Sequence, residues 1–318
     1  MDFPLITIGI TTYNAEETLN LAVDSALSQN WPKFEVIIID DCSFDKTWEL
    51  LNTIKTLHPD INIFQNTQNS GVASSRNKII QEARGEFIIF FDDDDISMPN
   101  RLEQQYKRII QYEKNFPNND LIVCHSARLQ IYPDGGQHVE QTMGTDENVM
   151  APNNIAVAQR ILTGRPLANG YGSTATCSQM ARTSTYKKLN GFDPNFYRSE
   201  DTDFNIRLAI AGGHFLGIAE PLVIQKMTMT NDKNIQDEKN FTLQLLNKHK
   251  DFIQTITSYK ACYKWIEIKY DYLAGFKFLF CKKIIKLFLH HPVFVIRRVL
   301  WAMPSLSINK RFSKFYEK

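Results

Sequence analysis

The chain has 318 residues, 43% of them hydrophobic, and its 36 basic and 35 acidic residues leave a formal net charge of +1. That length allows one large α/β domain with an appendage, or two domains. The charge balance gives no whole-chain case for nucleic acid, and no apolar run reaches the roughly 18 residues that a membrane span needs.

Cys42, Cys124, Cys177, Cys262 and Cys281 are odd in number and widely spaced. They read as thiols of a reducing compartment, with neither a disulfide frame nor a zinc site. Met1-Asp2 runs directly into an apolar stretch, which argues against a cleaved leader. The expected location is the cytoplasm, with peripheral contact to the inner face of the membrane as an option that the C-terminus raises.

The first hundred residues alternate short apolar strands with amphipathic helices, the pattern of a parallel sheet covered on both faces. Strands are predicted at Leu5–Ile10, Phe34–Ile39, Ile61–Gln65 and Phe87–Phe91. Asn14 with Glu17 reads as a capping box for a first helix, Asp45 as the cap of a second, and a third runs from Gly71-Val72 to Arg84-Gly85. A long helix is expected up to about Phe116, then an antiparallel pair at Leu121–Ser126 and Leu129–Tyr132 closed by the turn residues Pro133-Asp134-Gly135-Gly136. From Gln137 to Tyr171 the periodicity weakens and irregular structure is expected. Order returns with Ser173–Ala181, a helix from Thr202 to Ala211 and a strand at His214–Ala219. Met227–Asp232 reads as a polar, lid-like segment, and the remainder as helical.

The fourth strand runs straight into Asp92-Asp93-Asp94-Asp95. Four adjacent carboxylates at the mouth of a buried sheet repel one another unless a cation shares them, and hard divalent ions suit oxygen ligands. A cap on the following helix would account for one aspartate, not four. The other strand ends carry Thr11-Thr12-Tyr13-Asn14, Asp40-Asp41 and Asn69-Ser70-Gly71. All four polar clusters therefore fall at the carboxyl ends of strands, where this architecture binds ligands.

These segments, with Val72–Asn77, Gly85-Glu86-Phe87, Gly191-Phe192-Asp193 and Ser199-Glu200-Asp201-Thr202-Asp203, resemble the family 2 glycosyltransferases over about residues 4 to 225. The resemblance implies an inverting, metal-dependent enzyme with the GT-A fold, a Rossmann-like mixed sheet flanked by helices. The implied reaction moves a sugar from a UDP-linked donor to a hydroxyl of a glycan or lipid-linked acceptor, in bacterial surface-polysaccharide assembly. It makes Asp41 a contact to the nucleotide base, flanked by Thr11 and Tyr13. Gly71 would admit close backbone approach, Arg76 a phosphate, and Asp92 and Asp93 the ribose or donor sugar. Asp94 would hold Mn2+ or Mg2+. Asp201 becomes the general base, with Glu200 as its neighbour on donor or acceptor. First-turn acids that complement a helix dipole are the plain alternative for Asp201 and Asp203. Some relatives have a histidine after the last core strand; Gln225–Thr230 has none, so either Lys226 compensates or the site manages without.

The implied division is a catalytic domain over 1–228, with a nucleotide-binding half at 1–95 and an acceptor-binding half at 96–228, and a helical extension over 229–318. Between Lys264 and Arg298 eight basic residues face two acidic ones, interleaved with aromatic and aliphatic side chains. That mixture suits a helix in an anionic interface, peripheral membrane contact over 264–301, or equally a cap on the core or an oligomer contact. An aspartyl phosphatase would need its carboxylates after the first strand, and a nicotinamide dehydrogenase would need G-x-G-x-x-G there; Ile10–Asn14 offers neither. The remaining alternative is an inactive nucleotide-sugar-binding scaffold at the membrane surface, against which Asp94 and Asp201 argue.

Overall fold

The computed structural model describes residues 3–227 and 235–302, in two compact units. The first unit takes residues up to 157 and from 168 to 228. It opens with β1 (Ile6–Thr12), α1 (Leu19–Leu27), β2 (Phe34–Asp40), α2 (Thr47–Leu57), β3 (Asn62–Gln65), α3 (Val72–Glu82) and β4 (Phe87–Asp92). These strands pair in parallel. β1, β2 and β4 are buried along almost their whole length, as continuous Val/Ile/Phe runs require in a sheet covered on both faces.

The chain continues through β5 (Asp95–Ser97), α4 (Arg101–Asn115), β6 (Ile122–Ile131), β7 (Gln137–Glu140), α5 (Asn154–Thr163), β8 (Gln179–Arg182), α6 (Thr183–Lys188), α7 (Glu200–Ile210) and β9 (His214–Lys226). The described strands form one mixed sheet in the order β3-β2-β1-β4-β8-β6-β9-β5, with β7 on the side of β6. β8 is antiparallel to both β4 and β6, so it is the seam between the parallel half and the rest. Glu35 pins the opposite edge of the parallel half. Its buried carboxylate accepts from Thr7 Oγ1 at 2.7 Å, Arg84 N at 2.8 Å and Gly85 N at 3.2 Å, and pairs with Arg84 Nε at 2.8 Å.

Three expectations are corrected. The antiparallel pair at 121–132 is a single ten-residue strand, β6, paired in parallel with β9 through a register shift at Ser126–Arg128. Its polar residues do not mark a turn, because Gln179 Nε2 meets His125 Nε2 at 3.0 Å and Arg128 donates to Gln225 and Ser173. The weakly patterned stretch after Gln137 contains β7 and α5. Asn14 is not a helix cap: it sits at φ 51°, its Oδ1 accepts from Phe44 N at 3.0 Å, and the helix starts at Leu19. The lid-like segment falls mostly on 228–234, outside the described residues.

The second unit takes residues 158–167 together with the chain beyond 228. Its described C-terminal helices are α8 (Ile235–Lys248), α9 (Lys250–Ile256), α10 (Tyr259–Leu273), α11 (Lys277–His290) and α12 (Pro292–Ala302). Ser258 Oγ caps α10 by accepting from Ala261 N. Ala261, Ile268, Leu287 and Val295 form its small core, with Trp265, Phe280, Ile284 and Phe294 packed on it. None of these helices is long and apolar enough to cross a membrane.

Candidate active site

The register of the parallel strands sets the site. Thr11 lies level with Asp92, and Thr12 with Asp40, so three strand ends present their side chains along one edge. A cleft of about 450 Å3 opens there, lined by Thr11, Tyr13, Asp41 and Asp92–Asp94 from the strand ends and by Tyr197–Asp201 at the start of α7.

Asp40 and Asp41 have separate jobs. Asp40 is fully buried and accepts from Ser43 Oγ and Gln65 Nε2, which locks the β2 end. Asp41 reaches the cleft while its oxygens accept from Asn66 Nδ2 at 2.7 Å, Ser70 N at 3.0 Å and Gly71 N at 2.7 Å. Gly71 has φ +82°, a conformation that L side chains rarely adopt. It lets the loop turn its N–H onto Asp41 before α3 begins. Tyr13 is exposed, edge-on to Phe44 at 6.1 Å, and donates its N–H to Asp93 Oδ2 at 3.0 Å.

Within the aspartate run the four carboxylates diverge. Asp92 pairs with Arg76 Nη2 at 3.1 Å. Asp93 is pushed up to about 7 by burial and by Asp94 and Asp92 beside it. Asp94 is the exposed member and lies in the cleft. Asp95 is buried and does not line the cleft, begins β5, and caps nothing: α4 starts only at Arg101. Both its oxygens are buried without a hydrogen-bond partner, and burial together with Asp92 and Asp94 pushes its pKa up to about 8. Among the described residues, one carboxylate oxygen each of Asp92 and Asp95 and the Cys177 sulfur lie within 4.8 Å of one another. The Arg128 guanidinium, 3.8 Å from that sulfur, already supplies positive charge on this inner side. An all-oxygen, carboxylate-crowded set on the cleft side fits a hard divalent cation, whose charge would relieve the repulsion that pushes Asp93 up.

Arg76 does not stand ready for a phosphate. It is buried, bonded to Glu200 Oε1 at 2.6 Å as well as to Asp92, and lies 5.8 and 5.5 Å from the ring centroids of Phe90 and Phe192. It links α3 to the start of α7, which Ser199 enters at φ 67°. Glu200 is buried beneath this link, and burial with the nearby Asp201 pushes its pKa up to about 7 against the pull of Arg76. Asp201 stays on the cleft wall, its Oδ1 accepting from Thr202 N at 2.6 Å. Asp203 is buried and paired with Arg207 at 2.7 Å, so it supports the helix and does not line the cleft.

Thr11, Tyr13, Asp41, Arg76, Asp92–Asp94, Glu200 and Asp201 thus meet in one cleft, with Gly71 just behind Asp41. Lys226 is not among the cleft residues, and Gln225 is occupied by Arg128, which donates to its Oε1 at 2.8 Å. Sequence reasoning missed Tyr197, Arg198 and the inner pair Arg128 and Cys177. An arginine inside a strand otherwise rich in buried residues was the available signal for Arg128.

Solved structures with the same architecture include S. aureus TarS 1-349 in complex with UDP, with a TM-score of 0.55 at 18% identity over 84% of this chain and 82% of that one. The fold is GT-A. Residues 7–139 match the profile of Glycosyl transferase family 2. An uncharacterized glycosyltransferase of Haemophilus influenzae is 36% identical over 43% of this chain and 52% of its own length. The Escherichia coli UDP-Glc:alpha-D-GlcNAc-diphosphoundecaprenol beta-1,3-glucosyltransferase WfaP is 37% identical over 35% of this chain and 43% of its own length. For most of the curated relatives it matches, this chain spans about half of their length or less.

Proposed function

We propose that the protein is an inverting glycosyltransferase that moves a sugar from a UDP-sugar to a hydroxyl of a glycan or lipid-linked acceptor, using Mg2+ or Mn2+. The observation that carries the reading is the acidic cleft that gathers Asp41, Asp92–Asp94 and Asp201 among its lining residues. The family match and the UDP-bound structural neighbour support it.

In this reading Asp41 accepts from the base and Tyr13 offers it a ring face. Asp92 and Asp93 meet the ribose and donor sugar. Asp94, with Asp92, would hold the divalent ion, which when bound supplies charge neutralisation of the diphosphate leaving group. Asp201 takes the proton of the acceptor hydroxyl as that oxygen bonds to the anomeric carbon from the face opposite the breaking bond to the diphosphate. Inversion follows from that geometry. Arg76 acts as a positioning residue: through Glu200 and Asp92 it ties the base-bearing helix to the strand end that carries the donor acids. The basic, apolar helices over 264–301 give the peripheral membrane contact that a lipid-linked acceptor would need.

The test is nucleotide diphosphate release from UDP-, dTDP- and GDP-sugars with Mn2+, Mg2+ or chelator, with the wild type beside Asp201→Asn. Metal-dependent release from a UDP-sugar is expected, with kcat about 10²–10⁴-fold lower in the variant and donor affinity retained. Full turnover by Asp201→Asn overturns the assignment of the base. Donor binding without turnover, across lipid-linked and glycan acceptors, would favour a nucleotide-sugar-binding scaffold.

A further inference from the structure

The C-terminal helical unit holds a cavity of about 440 Å3, within the ~300–1,000 Å3 of ordinary ligand sites. Its wall is largely apolar, from Trp265, Ile268, Phe280, Ile284 and Val299. Three cations, Arg160, Lys269 and Arg298, also line it, and none of its described lining residues is acidic.

Arg298 is the informative member. Its guanidinium lies 5.2 Å from the Trp265 ring centroid, and its Nε is buried with no hydrogen-bond partner. Gly164, at φ +67°, brings the backbone so near that a Cβ there would stand 2.7 Å from Arg298 Nη1. Burial lowers the pKa of Arg298 to about 10, which still leaves it charged at neutral pH. A buried guanidinium is costly unless an anion meets it, and it offers a planar fork suited to phosphate. Around the cavity's helices, Phe276, Phe278, Leu289, Ile296 and Leu300 are exposed among Lys282, Lys286 and Arg297. Apolar groups interleaved with cations suit the surface of an anionic bilayer.

We infer that this cavity is a binding site for a lipid phosphate, with the phosphate on Arg298 and Lys269 and the first part of its chain against Trp265, Ile268, Phe280 and Ile284. Three cations favour a multiply charged head group, and the apolar wall favours a chain over a free ion. The inference stands apart from the cleft chemistry, since none of its residues lines the cleft.

The experiment titrates the full chain with decyl phosphate, decanol and inorganic phosphate below micelle formation, read by tryptophan fluorescence, because Trp265 and Trp301 line the cavity. Decyl phosphate should bind at least about tenfold more tightly than either of its halves, and Arg298→Gln should cost about tenfold, as loss of a charge-assisted bond does. Arg297→Gln, which removes the same charge from an exposed neighbour, should change affinity by less than about twofold. Val299→Trp, at a partly exposed lining position, fills the cavity and should abolish saturation, which keeps the test valid if Arg298→Gln fails to fold. Inorganic phosphate binding as tightly as decyl phosphate, equal losses in the two arginine variants, or no saturable signal would each overturn the site. Donor binding measured in the same preparations separates this outcome from the fate of the glycosyltransferase reading.

Discussion

Replacing Arg76 by methionine keeps an unbranched apolar stem but removes the guanidinium that lies near the Phe90 and Phe192 rings, and with it the cation between Glu200 and Asp92. Breaking a buried pair by deleting one partner typically destabilises by about 3–5 kcal/mol, because the other charge is left stranded. Here the two partners differ. The Asp92 side chain keeps 30% of its surface accessible and can turn to water, whereas that of Glu200 keeps only 10%. Glu200 can relieve its position only by taking up a proton, and its pKa already stands at about 7 with Arg76 present. The loss at pH 7 should therefore lie near the lower limit, about 3 kcal/mol.

The pH dependence separates this cause from ordinary packing loss. In the folded wild type the Glu200 pKa exceeds its ordinary value of 4.5. Its contribution to stability is fully present below 4.5, falls as pH rises towards 7, and is level above that. In Arg76→Met the folded pKa moves higher, so the fall continues. The gap between variant and wild type should change little from pH 5 to pH 7 and should widen above pH 7, by up to about tenfold in the folding constant per pH unit. Urea denaturation at pH 5, 7 and 8.5 measures it. A gap of constant size across that range would refute the argument, since lost packing alone does not titrate.

Asp41→Asn sets an amide against Ser70 N–H and Gly71 N–H, where two acceptor oxygens stood. It should weaken UDP binding by about tenfold or more, as read by calorimetry. Gly71→Ala forces a side chain into φ +82° and should cost about 1–3 kcal/mol, measured by chemical denaturation, with UDP affinity falling alongside. Glu35 is raised by burial but lowered more by its bonds to Thr7 and Arg84, so its folded pKa lies below the ordinary 4.5. Its contribution is present above pH 4.5 and is lost as pH falls through the folded value. Glu35→Gln should destabilise at pH 7 and flatten the melting temperature profile between pH 5 and pH 3.

The parallel half was readable from sequence because each signal there is local: continuous apolar strands, turn residues at their ends, and helices with one apolar face. The same locality brought Thr11, Asp41 and Asp92–Asp94 to one edge. Beyond residue 96 the determining contacts are long-range. His125, Ser126 and Arg128 resemble a strand break until Gln179, Gln225 and Ser173 are seen to meet two of them. Arg76 looked like a phosphate ligand because its partner Glu200 lies 124 positions away. Asp95 was grouped with its neighbours because a one-dimensional string does not reveal that its carboxylate is buried beside Cys177 and does not line the cleft.

The seam at β8 bears on how this protein can be divided. Residues 1–95 hold a complete alternating pattern and invite expression as a separate nucleotide-binding fragment. In the intact sheet, however, Phe87, Ile88 and Ile89 are covered along one side by Arg182, Ala181 and Met180 of β8. A fragment ending at residue 95 would carry the run Phe87–Phe91 as a bare edge, uncharged, without proline and rich in β-formers, which is the make-up of a self-pairing strand. Such a fragment should aggregate through that edge, and a soluble version would need either β8 supplied as a peptide or a lysine set into the exposed strand.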